Sequence, residues 1–110
     1  MSSREERIGL NEAVFRQVNE RIEDVAETFQ PRAERLDLIC ECGDGECVQP
    51  ITMTPAEYEH VRSDAHQFAV YPGHVINDVE SIVERREGYD IVAKDRGIPE
   101  QVAEQTDPRS

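Results

Sequence analysis

The chain has no tryptophan, and only three phenylalanines and three tyrosines among its 110 residues. Apolar residues make up 37% of it, so the core is small, and a small core often needs a staple. No stretch approaches the ~18 consecutive apolar residues of a membrane span, so a membrane partner is not expected. The opening MSSREERIGL has no apolar segment and reads as no secretory signal. A cytoplasmic location is therefore expected, where thiols stay reduced and clustered cysteines more often bind metal than pair as disulfides. A Gly-rich phosphate loop and an H-E-x-x-H motif are also missing, and no Ser-His-Asp arrangement can be justified. No catalytic residue is assigned, and an enzyme is not expected.

Positive charge is scarce as well. There are 12 Lys+Arg against 24 Asp+Glu, a formal net charge of −12. Residues 1–35 hold 6 basic and 8 acidic groups (net −2), residues 36–74 hold 1 and 7 (net −6), and residues 75–110 hold 5 and 9 (net −4). The cysteines lie in the most acidic third. Phosphate recognition needs the opposite sign, so direct nucleic-acid binding is disfavoured.

What is present begins with a helical pattern from Asn11 to Gln30. At about 100° per residue, Val14, Val25, Val18, Phe29 and Ile22 share one narrow arc. Arg16, Glu20, Arg21, Glu23, Asp24 and Glu27 occupy the other side. Such a helix should lay its apolar stripe on the protein's own sheet, or against a copy of itself as a homodimer through residues 11–30. Asn11 reads as its N-cap and Pro31 as its stop. Leu36–Cys40 and Val48–Met53 read as strands, the second an edge strand because of Pro50. Thr54-Pro-Ala-Glu57 is a capping box that opens a second helix, whose inward face is Tyr58, Val61, Ala65 and Phe68. Phe68–Tyr71 is a short strand, and Val79–Arg86 with Tyr89–Lys94 forms a hairpin around Glu87-Gly88. The expected organisation is a flexible N-terminus over residues 1–10, one α+β domain over 11–94, and a flexible acidic tail over 95–110.

Cys40, Cys42 and Cys47 form C-x-C-x4-C across a Gly43-Asp44-Gly45 turn. Glycines let three sulfurs converge, and Zn2+ takes thiolates and imidazoles in a tetrahedron. His74, placed by the Pro72-Gly73 turn, is the first choice for the fourth ligand, with His66 second and His60 last. Asp44 and Glu46 lie in the loop, but oxygen matches poorly beside three thiolates. Two other readings compete: small buried thiols filling the core, and a redox pair between Cys40 and Cys42 or Cys47. A two-iron cluster of the CDGSH type also starts with C-x-C. It needs a longer gap before the third cysteine and a histidine four residues after it, where this chain has Ile51.

Four segments together carry a resemblance: Asn11-Glu12-x2-Phe15-x2-Val18-Asn19-x2-Ile22, Cys40-Glu41-Cys42-x4-Cys47, Thr54-x2-Glu57-Tyr58-x2-Val61-Arg62 and Phe68-x-Val70-x-Pro72-Gly73-His74. The combination resembles a family of small uncharacterised actinobacterial proteins and spans about residues 11–94. The resemblance implies a cytosolic protein in which Cys40, Cys42, Cys47 and His74 act as a unit. The expected fold is thus α+β, a long N-terminal amphipathic helix on a small, mostly antiparallel sheet stapled by a Cys3His-type zinc site. The expected function is a regulatory or adaptor module that binds a protein partner, with a thiol-based redox or metal sensor as the alternative.

Overall fold

Ser3 and Glu6 open the first helix with a reciprocal capping box, and α1 runs from Arg4 to Phe29 in the computed structural model, which describes residues 3–109. The helix therefore begins ahead of Asn11, inside the segment expected to be flexible; residues 1–2 and 110 lie outside the described residues. It stops just before Pro31, whose ring disfavours helical backbone at Gln30.

Two antiparallel strands follow, β1 (Leu36–Ile39) and β2 (Pro50–Met53), with Leu36 opposite Met53 and Ile39 opposite Pro50. Helix α2 (Pro55–Arg62) starts at the Thr54/Glu57 capping box and buries Tyr58 and Val61. A second sheet has the order β3-β5-β4, all antiparallel, with β3 at Gln67–Val70, β4 at Glu80–Arg86 and β5 at Tyr89–Lys94. Gly88, at φ 87°, makes the β4–β5 turn that the sequence predicts. The fold is α+β, with two small sheets in place of the single one expected. Glu41 joins them. Its backbone N–H donates to the Ala69 carbonyl at 2.8 Å, and its side-chain Oε1 accepts from the Ala69 N–H at 2.9 Å.

The expected loose tail contains α3 (Ile98–Gln105), which packs against α1. Val102 lies so close to Gly9 that a Cβ there would sit 2.6 Å from its Cγ1. Arg16 ties the same helix down by donating from Nη2 to the Ala103 carbonyl at 2.9 Å.

The expected packing face of α1 is corrected by the structure. Val14, Val18, Val25 and Phe29 are exposed, while Ile22 at the edge of that stripe and its neighbour Ala26 are partly buried against the core. The inward face carries Ile8, Gly9, Glu12, Ala13, Arg16 and Asn19. The cause lies in what α1 covers, which is the β1 strand together with the cysteine loop, where backbone carbonyls and amides face the helix and need partners. Asn19 accepts from the Ile39 N–H at 2.9 Å and donates to its carbonyl at 2.8 Å; Asn11 donates to the Gly43 carbonyl at 2.9 Å. Buried polar backbone must be paired, and polar side chains on α1 do the pairing.

Candidate metal centre

Three backbone features bring the candidate ligands to one point. Cys40 continues β1, its N–H donating to the Gln49 carbonyl at 2.9 Å. The chain then turns through Gly43, Asp44 and Gly45, where the Asp44 side chain accepts from the Glu46 N–H and its carbonyl from the Cys47 N–H, both at 3.0 Å. A Cβ at Gly43 would fall 2.3 Å from Ile8 Cγ2, so only glycine lets the loop lie against α1. The third feature is the turn after β3, closed by a hydrogen bond from the His74 N–H to the Tyr71 carbonyl at 2.9 Å. Gly73 sits there at φ 86°, with its N–H on Asp90 Oδ2 at 3.1 Å.

The four groups meet. His74 Nδ1 is 3.6 Å from Cys40 Sγ and 3.6 Å from Cys47 Sγ, and all four ligand atoms lie within 4.8 Å of one another. A tetrahedral zinc with bonds of about 2.3 Å to sulfur and 2.0 Å to nitrogen has edges of about 3.5 Å between sulfur and nitrogen and about 3.8 Å between sulfurs. The two sulfur–nitrogen distances match the first of these edges. Cys40 and Cys42 are buried beside Phe68, Val70 and Val92, while Cys47 and His74 are half-buried. The arrangement is a Cys3His cluster able to hold a metal ion.

The electrostatics favour one thiolate even before a metal binds. A hydrogen bond from the Cys40 thiol pushes Cys42 down to about 5, and the same pairing pushes Cys40 up. Burial raises Cys47. The Tyr71 N–H, 3.0 Å from Cys40 Sγ, offers a donor to that sulfur. Metal binding would displace the remaining protons, which makes affinity pH-dependent.

Other sequence candidates lie elsewhere. His66 Nε2 is 2.7 Å from Glu104, and His60 Nε2 is 2.6 Å from Glu84. Asp44 and Glu46 are exposed and outside the four-residue group. Glu41 turns away from the cysteines into the interior, where its carboxylate accepts from Asn19 Nδ2 (2.9 Å), the Tyr58 hydroxyl (2.9 Å) and the Ala69 N–H (2.9 Å). This support beneath the cysteine loop is absent from the sequence reading, because a Glu between two cysteines in so acidic a chain carries no signal of its burial. Burial pushes its carboxyl up, and the three donors oppose that.

Comparison with protein-family models, curated proteins and solved structures finds no match to this chain.

Proposed function

We propose that the chain is a small zinc-binding protein whose Cys40, Cys42, Cys47 and His74 centre is structural, and that it works as a regulatory or adaptor module by binding another protein. One observation carries the metal part: three sulfurs and one imidazole nitrogen within 4.8 Å supply four protein ligands and so close the tetrahedron. A closed site leaves no position for the metal-bound water that hydrolysis uses, and a non-catalytic role follows. The metal joins β1, the loop before β2 and the turn after β3, and thereby fastens the two small sheets at one end. Because ligand capture and folding are coupled, zinc binding contributes folding free energy, on the order of 10 kcal/mol or more in zinc-finger peptides.

Cys47→Ser is expected to lose both bound zinc and the cooperative unfolding transition. Cooperative unfolding of metal-free wild-type protein at unchanged midpoint contradicts a structural role. A second reading has its own observation: Cys47 and His74 are half-buried and open to oxidants. If the centre is a redox sensor, zinc is released stoichiometrically at modest excess of peroxide. A centre that keeps its zinc there is purely structural.

A further inference from the structure

The outward side of α1 has a composition unlike the rest of the surface. Among the described residues, five of the nine exposed large hydrophobics (Leu10, Val14, Val18, Val25 and Phe29) lie along it. The stripe runs about 28 Å at 1.5 Å per residue. Val14 to Val25 and Val18 to Phe29 are both eleven-residue steps, a period close to that of a straight helix, so the stripe barely winds around the axis. It is grooved. Val14, Gln17, Val18, Arg21 and Ile22 line one shallow depression, and a second of about 370 Å³ lies where Val25 and Phe29 face Arg35 and Leu36.

Charge along this side runs against the protein as a whole. Arg21 and Arg35 line the two depressions with a single carboxylate, Asp37. Exposed Arg7 precedes Val14 by two turns on the same side. Arg21 therefore borders the stripe and does not belong to the solvated back that the sequence suggests. The carboxylates Glu20 and Glu23 point elsewhere, onto Arg109, with Arg62 also on Glu20. A molecule of net charge −12 thus presents an apolar stripe edged with arginines.

We propose that this face of α1 is the docking groove for an amphipathic helix of a partner protein that carries acidic residues beside its apolar stripe. An apolar helix face laid into a groove is a common recognition mode, with flanking charges setting the partner's identity. Carboxylates on that helix reach Arg7, Arg21 and Arg35 while its apolar side chains cover Val14, Val18, Val25 and Phe29. A second copy of this chain suits the face less well. Parallel pairing of α1 with itself sets Arg21 against Arg21, and any pairing joins two bodies of net charge −12.

This inference rests on the protein-interaction reading and on none of its metal chemistry. Two synthetic amphipathic peptides with the same leucine stripe, one flanked by glutamates and one by lysines, are titrated against the full chain as purified. The glutamate peptide is expected to bind about tenfold tighter, although net charge alone gives the reverse order. Val18→Asp abolishes its binding and Arg21→Glu removes the preference, both with unchanged circular dichroism because the two side chains are exposed. Equal or tighter binding of the lysine peptide, or no binding of either, overturns the proposal. So does a concentration-dependent dimer that Val18→Asp dissolves, since a second copy then owns the face. Metal content per chain is read on the same samples, so failure of the docking groove stays separable from failure of the zinc centre.

Discussion

Glu41 stands between two of the three cysteines in the chain, yet its carboxylate serves the interior, where Tyr58, Asn19 and the Ala69 N–H all donate to it. Glu41→Gln replaces one acceptor oxygen by an NH2 that faces donors, which costs about 1–3 kcal/mol for a buried unsatisfied group. A lower urea midpoint with an unchanged metal stoichiometry is expected, because Glu41 supports the loop and is not one of the four candidate ligands. Glu23 makes a prediction of another kind. Burial, with help from the neighbouring Glu59, raises its carboxyl from 4.5 to about 7 despite Arg109. Between about 4.5 and 7 the folded protein then holds more protons at this position than the unfolded chain. The contribution of this site to stability therefore falls as pH rises through that window. Glu23→Gln should flatten this slope and leave the protein at least as stable as wild type at neutral pH, as urea midpoints across the window will show.

At the scale of elements, α1 and α3 depend on a buried arginine. Arg16 reaches the Ala65 carbonyl at 2.8 Å, the Ala103 carbonyl at 2.9 Å and the Thr106 hydroxyl at 3.3 Å, and its guanidinium lies 4.6 Å over the Phe68 ring. It thus holds the end of α3 against α1 and the turn that leads into β3. Arg16→Lys keeps the charge but loses the planar fork and the stacking, so it should not restore what Arg16→Ala removes. Each variant is expected to lose about 1–3 kcal/mol of stability in denaturant titrations through the buried carbonyls it leaves unpaired, with earlier amide exchange in α3 than elsewhere. The polar inner face of α1 is also why its packing is illegible from apolar periodicity. Periodicity finds the stripe at Val14, Val18, Val25 and Phe29, but not which side faces inward, because Asn19 and Arg16 are selected by backbone groups distant in sequence. Helix α3 escapes for a related reason. IPEQVAEQ offers few apolar residues, and its place is set by Val102 on Gly9 and by Arg16, contacts visible only in three dimensions.

Across the whole molecule, the parts that local chemistry determines were the legible ones. The Thr54/Glu57 capping box, the Glu87-Gly88 hairpin, the edge position of Pro50 and the turn that presents His74 all follow from residues within a few positions of each other. The cysteine cluster was legible for the same reason, three thiols around a glycine turn. That His74 and not His66 completes it is set by the pairing of β3 with β5 and by Glu41 on Ala69, which bring the turn after β3 over the end of β1. With a core this small and a charge of −12 opposing compaction, a metal joining those segments is the central claim about how the molecule stands. Native mass spectrometry of protein purified without added metal or chelator tests it most directly. One zinc per chain in the wild type, lost in Cys47→Ser and weakened in His74→Ala, is the expected result. A folded wild-type chain that carries no metal and has three freely titratable thiols would contradict it.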